Sequence, residues 1–288
     1  MILVTGGTGK TGRELVRLLE SRGAEFRVVA RNPEKAKGLF GSGVKVLEGD
    51  LGRPDSMEPA MRGVETLFLL SSPDPGSPAL QTNALAAAKR AGVKRVVKMS
   101  AISASRDSAS RFLRLHGEMD DELASSGLTW TRLRPHSFMQ NTLMFVPSIL
   151  SDGAFYTPPS GVMPVVDVRD IAAVACAVLL EKGHEGKTYT ITGPESLSYA
   201  QMAEKISTAI GKQVRYVEVP TDAARQAMLG AGWPEWVVEG LLELYTFYNS
   251  GTAASVSKVT EQIAGKKPIT FEEFARDHAA AFAGSKPG

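Results

Sequence analysis

Three glycines, one arginine and two histidines have the clearest chemical uses in this chain. Gly6, Gly9 and Gly12 stand in the run Thr5-Gly6-Gly7-Thr8-Gly9-Lys10-Thr11-Gly12. The apolar stretch Met1-Ile2-Leu3-Val4 precedes this run, and the helical pattern Arg13-Glu14-Leu15-Val16-Arg17-Leu18-Leu19 follows it. Strand, glycine turn and helix in that order form a cradle for a pyrophosphate. Glycine lets the backbone approach the anion, and the free amides of the first helical turn point at it. The G-x-x-G-x-x-G spacing is a looser form of the dinucleotide fingerprint. Gly9-Lys10-Thr11 also imitates a nucleoside-triphosphate loop, but that loop needs a glycine five residues before Gly9, where Val4 stands.

The next strand decides what the turn could hold. Phe26-Arg27-Val28-Val29-Ala30 is apolar enough to be buried and leads into Arg31, about twenty residues past the turn, where such folds meet the adenine ribose. An acid there favours NAD. Arg31-Asn32, with Lys35 a turn later, suits the 2′-phosphate of NADP, which a carboxylate would repel. The plainer alternative for Arg31 is a solvated charge at a strand end.

A reductase of carbonyls benefits from an acid beside the developing alkoxide, and many folds of this type use tyrosine with lysine four residues on. That pair is absent: Ser160, Gly193, Ala203, Pro220, Asn249 and Thr252 follow the six tyrosines at that distance. On the segment Arg111 to Leu123, His116 is the residue able to exchange a proton near neutral pH. His136 competes with it, while His184 and His278 read as structural. Glu118, Asp120, Asp121 and Glu122 read as a solvated face. No His, Asp and Glu have metal-ligand spacing, so no metal is expected.

These residues need elements to position them. Short apolar strands at Val44–Leu47, Thr66–Leu70, Arg95–Met99 and Thr129–Leu133 alternate with helical stretches near 54–61, 79–91 and 110–126. Such alternation predicts an α/β, Rossmann-type doubly wound parallel sheet, with ligands outside the carboxyl ends of its strands. The informative positions are then Asp50 and Leu51, Ser71 and Ser72, Ser100, and Pro135 and His136. Asp50 could accept from the adenine amino group or cap the helix opening after Pro54. The proline-rich run from Pro73 to Pro78 is read as an irregular loop beside the cofactor.

Residues 1–150 would form the dinucleotide-binding domain, its sheet completed by segments around 164–192. Residues 151–288 would form a smaller, mostly helical substrate or lid region. Strands are expected near Pro164–Val166, at Thr188–Ile191 and at Val214–Val219. Trp233 and Trp236 are three apart and would share a helical face, with Tyr245 and Tyr248 repeating that spacing. These aromatics either fill a core or cap the cleft as a lid, swinging on Gly230, Gly232 and Gly251. Phe138, Met139 and Phe155 would form the opposite wall. The terminal Ser285-Lys286-Pro287-Gly288 is read as frayed.

Composition narrows the functional classes. Of 288 residues, 33 are basic and 31 acidic, without a basic block, which argues against nucleic acid as a partner. Cys176, the single cysteine, lies in an apolar helical run, leaving no disulfide framework or thiolate metal site. No run approaches the ~18 apolar residues of a membrane span. A cytoplasmic location is expected, with monomer and homodimer both open.

Several stretches together resemble the NmrA-like branch of the atypical short-chain dehydrogenases/reductases, which includes quinone and triphenylmethane reductases. They are Thr5 to Gly12, Arg31-Asn32-Pro33, Gly49-Asp50, Leu133-Arg134-Pro135-His136-Ser137-Phe138-Met139-Gln140-Asn141 and Val166-Asp167-Val168-Arg169-Asp170-Ile171-Ala172. The resemblance extends to Gly186-Lys187-Thr188-Tyr189 and Ile269–Phe274. It implies NADP(H) held by Gly6, Gly7, Thr8, Gly9, Lys10, Thr11, Gly12 and Arg31, and a loop after residue 134 lining the nicotinamide and substrate pocket. Ser137, Phe138, Met139 and Asn141 would then meet a planar acceptor. His116 falls near the place where isoflavone-reductase-like relatives keep a catalytic lysine, which is absent here. The implied activity is NADPH-dependent reduction of a flat conjugated acceptor such as a quinone. The alternatives are a non-catalytic NADP(H) sensor acting through a protein partner and a reductase of one pathway intermediate.

Overall fold

The computed structural model describes residues 1–72 and 74–285. Pro73, within the expected loop, and residues 286–288 of the expected frayed end lie outside the described residues. The strands are β1 (Ile2–Val4), β2 (Phe26–Ala30), β3 (Val46–Glu48), β4 (Thr66–Leu69), β5 (Arg95–Met99), β6 (Thr129–Pro135), β7 (Ala154–Thr157), β8 (Thr188–Ile191) and β9 (Arg215–Glu218). Helices α1 (Lys10–Ser21), α2 (Pro33–Phe40), α3 (Glu58–Met61), α4 (Ser77–Arg90), α5 (Arg111–Ser125), α6 (Val146–Asp152) and α7 (Val168–Leu180) accompany the first half. Helices α8 (Tyr199–Ile210), α9 (Thr221–Gly230), α10 (Glu235–Asn249), α11 (Val259–Ala264), α12 (Phe271–Asp277) and α13 (Ala279–Phe282) follow.

Seven strands form one parallel sheet in the order β3-β2-β1-β4-β5-β6-β8. This is the doubly wound Rossmann order, extended by β8. Strand order reverses between β1 and β4, so the crevice for a ligand opens beyond Val4 and Leu69. Neighbouring strand residues face opposite ways. On one face Val4, Val28, Phe68 and Val97 pack with Leu15, Val16 and Leu19 of α1 and Ile171, Val174 and Val178 of α7. On the other, Leu3, Val29, Leu67 and Val96 pack with Ala84 and Ala88 of α4 and Leu123 of α5. Cys176 belongs to the first of these clusters, and burial raises its thiol pKa.

A second core sits in the C-terminal half. Strands β7 and β9 pair in parallel as a separate two-stranded sheet. Phe155 joins Met202 and Ile206 of α8 and Phe271, Phe274 and Phe282 there.

Two expectations change. Pro164–Val166 is not a strand of the large sheet: this region makes isolated bridges, Phe138 with Val166 and Met163 with Leu197. Pro164 has no N–H to donate to a ladder, and of the segments around 164–192 it is β8, at the expected Thr188–Ile191, that extends the sheet. The segment from Trp233 to Tyr248 is not one helix. Helix α9 ends in a Schellman turn, with Trp233 N–H donating to the Met228 carbonyl, Gly232 N–H to that of Leu229, and Gly232 at φ +81°. Helix α10 starts afresh after Pro234. Trp233 therefore stands outside the helix that carries Trp236, and the two do not share a helical face.

Candidate active site

The glycine turn follows β1 at the switch point. Its closeness depends on Gly12, where an added Cβ would lie 2.1 Å from the Gly6 carbonyl oxygen. Gly6 is left-handed at φ +64°, and a Cβ there would meet Leu70 at 2.7 Å. Thr5 fastens the turn to β4, its hydroxyl donating to the Leu70 carbonyl and accepting from the Leu70 amide. Gly9 caps α1 with no side-chain hydrogen bond, so the first-turn amides face outward without a competing side chain. This arrangement fits a pyrophosphate. Thr8 and Lys10 are exposed beside it and Thr11 is buried. Lys10 Nζ reaches across to the Gln140 carbonyl at 3.3 Å, bridging the turn to the loop beyond β6.

Arg31 follows β2 and is exposed, without a hydrogen-bond or ion-pair partner among the described residues. Lys35 lies nearby on α2, its amide donating to the Asn32 side chain that caps the helix. Asp50 does not cap the helical turn after Pro54, whose N-cap is Arg53. Its Oδ1 instead accepts from the Gly52 amide at 2.9 Å within its own loop. Leu51 offers its carbonyl to Asn83. Ser71 accepts from Gln81, and Ser72 is exposed.

Beyond β5 and β6 opens a cavity of about 420 Å³. Ser100, Ala101, Pro135, His136, Ser137 and Phe138 line it from the strand ends, and Phe112 and His116 from α5. Asn141, Phe145 and Tyr199 form a further wall, and Trp233, Leu241, Tyr245 and Tyr248 come from the α9–α10 region. Among the described residues no lining side chain is an Asp, Glu, Lys or Arg. Three of the expected substrate residues lie elsewhere. Met139 is fully buried in the C-terminal core, and Phe155 stacks on Phe145 at 4.7 Å. Trp236 turns its ring edgewise to Phe112 at 5.1 Å, with Arg111 above it. Arg111 binds Glu243 at 2.7 Å, and Gly240 abuts the Phe112 ring. These contacts fasten α10 to α5 as a packed wall rather than a loose lid.

Behind Ser100 lies a charge cluster that periodicity did not reveal. Asp120 is not on a solvated face: it is 1% exposed and accepts from Lys98 Nζ at 2.8 Å, Ser100 Oγ at 2.9 Å and Arg134 at 2.7 Å. Burial disfavours its charge, but Lys98 and Arg134 outweigh that and hold the carboxyl below its ordinary range. Ser100 is thus committed to Asp120 and braces the strand end. Lys98 could have been found in the sequence, because a lone cation in the otherwise apolar Val96-Val97-Lys98-Met99 demands a buried partner.

Both candidate histidines are neutral. His116 has its Nδ1 covered and unpartnered; burial first, then Lys98, push its pKa down to about 3. His136 is 2% exposed, and burial lowers it to about 3 as well. Its Nδ1 accepts from the Ser137 amide at 2.7 Å, which places the ring proton on Nε2. That Nε2 is buried and has no partner among the described residues, and the ring stacks on Tyr248 at 4.9 Å. Among the described residues no group of His, Cys, Asp and Glu could hold a metal.

The model of the NmrA-like family matches residues 1–275. The chain belongs to the NmrA-like family. An NAD(P)H azoreductase of Xenophilus azovorans is 40% identical over 98% of this chain and 99% of its own. The crystal structure of an NADPH-dependent quinone oxidoreductase from Escherichia coli, complexed with NADPH, superposes with a TM-score of 0.88 at 30% identity, covering 96% of this chain and 99% of its own. The triphenylmethane reductase of a Citrobacter species, complexed with NADP(H), gives 0.86 at 26% identity, covering 97% and 100%.

Proposed function

We propose that this member of the NmrA-like family reduces a planar conjugated acceptor, such as a quinone, with a hydride from NADPH. That it is an NAD(P)H-dependent oxidoreductase using NADP(H) rests on relatives that match nearly end to end and are named for that chemistry. The choice of acceptor rests on one observation: an aromatic-walled cavity without a charged side chain opens at the strand ends that follow the glycine turn.

Gly6, Gly9, Gly12 and the first amides of α1 would hold the pyrophosphate, and Arg31 with Lys35 the 2′-phosphate. Bound NADPH supplies a hydride, two electrons with one proton. Phe112, Phe138, Trp233 and Tyr245 would hold a flat ring by stacking and exclude water, so positioning supplies much of the rate. Water can supply the acceptor's second proton, and neither histidine carries an exchangeable charge near neutral pH.

The test is NADPH oxidation against naphthoquinones, an azo dye, a triphenylmethane cation and simple ketones. Turnover of the conjugated acceptors but not of the ketones is expected. Tight NADPH binding with no acceptor turned over would replace this reading with a redox sensor.

A further inference from the structure

His136 is built as a hydrogen-bond donor without an acceptor. The Ser137 amide occupies its Nδ1, the stack on Tyr248 fixes its plane, and Nε2–H is buried with no partner while the residue lines the cavity. A buried N–H left unpaired costs about 1–3 kcal/mol, and such groups in native structures call for an explanation. Among the described residues the cavity wall holds no carboxylate that could accept from it. We propose that His136 Nε2–H binds a carbonyl oxygen of the acceptor and stabilises the negative charge that hydride addition places there.

This rests on the quinone reading above and sharpens it: acceptors bearing a carbonyl oxygen are favoured over those without one. In the balanced reaction the nicotinamide C–H bond breaks and its hydride passes to the quinone. The carbonyl oxygen becomes an oxyanion and takes a proton from water, giving hydroquinone and NADP⁺. His136 keeps its own proton throughout, because a neutral imidazole lends a hydrogen bond rather than an acid proton.

His136→Phe keeps the ring and its stack on Tyr248 while deleting the donor. Losing one preorganised donor to a developing oxyanion costs about 10²-fold in kcat. The variant should lose that factor towards 1,4-naphthoquinone, chiefly in kcat, keep its NADPH affinity, and leave any triphenylmethane-cation reduction within about threefold. His136→Gln, which restores an N–H, should recover part of the loss. In wild-type protein with ¹⁵N-labelled histidine, 1,4-naphthoquinone added to the NADP⁺ complex should move the His136 Nε2 proton downfield. An unmoved resonance at saturating quinone, or equal losses with quinone and dye, would overturn the assignment. Failure of the wild type to reduce any quinone would instead remove the function proposed above.

Discussion

Arg31 is exposed, and no acid among the described residues competes for it. Charge-assisted hydrogen bonds are worth roughly 1.5–3 kcal/mol, so NADPH should bind about 10- to 100-fold more tightly than NADH. Calorimetry checks this: Arg31→Asp should erase or invert the ratio, and equal dissociation constants in the wild type would refute it. His116 cannot act as an acid near neutral pH with a pKa of about 3. His116→Ala should therefore cost less than the 10²- to 10⁴-fold typical of a lost general acid, measured as kcat/KM for a quinone. The glycine turn before α1 and the place of Arg31 at the end of β2 were readable because both depend on local spacing along one strand, turn and helix. Asp120 was not, because its partnership with Lys98 joins α5 to β5 and a charged helix face looks solvated until its neighbour is known.

At the scale of elements, alternation of apolar strands and helices carried the parallel, doubly wound architecture of the large sheet, since each crossover leaves its own period. The misread Pro164 strand and the helix begun at Trp233 instead of Glu235 both turn on proline and glycine chemistry. The signal Gly232-Trp233-Pro234 marked a helix end and restart, and aromatic spacing alone overrode it. The break separates two tryptophans with different work. Trp233 lines the cavity, so Trp233→Ala should raise the Michaelis constant for the acceptor with little change in melting temperature. Trp236 packs on Phe112 and Arg111, so Trp236→Ala should cost roughly 2–3 kcal/mol of stability while kinetics at low temperature stay near wild type. The reverse pattern, seen in paired melting and kinetic measurements, would put Trp236 on the acceptor. Gly12→Ala should lose NADPH binding, because its Cβ would collide with backbone at 2.1 Å rather than a yielding side chain.

For the molecule as a whole, the buried histidines link stability to pH. Their folded pKa values, about 3, lie below the unfolded value near 6.5. The unfolded chain therefore binds protons first, and stability falls as pH drops from about 6.5 towards 3. With both groups titrating, the slope reaches about 2.7 kcal/mol per pH unit. Asp120, held low by Lys98 and Arg134 against its burial, adds a loss of the same sign at the acid end. Urea unfolding at a series of pH values reads this slope, and His136→Gln should reduce it.

Hydride transfer from NADPH to a conjugated acceptor can be followed in a single turnover. Protein loaded with one equivalent of NADPH is mixed with 1,4-naphthoquinone, and the loss of NADPH absorbance is followed. One hydroquinone should form per NADPH consumed, at a rate that slows when the transferred hydrogen of NADPH is deuterium. NADPH that stays bound and unconsumed at saturating quinone would contradict that transfer.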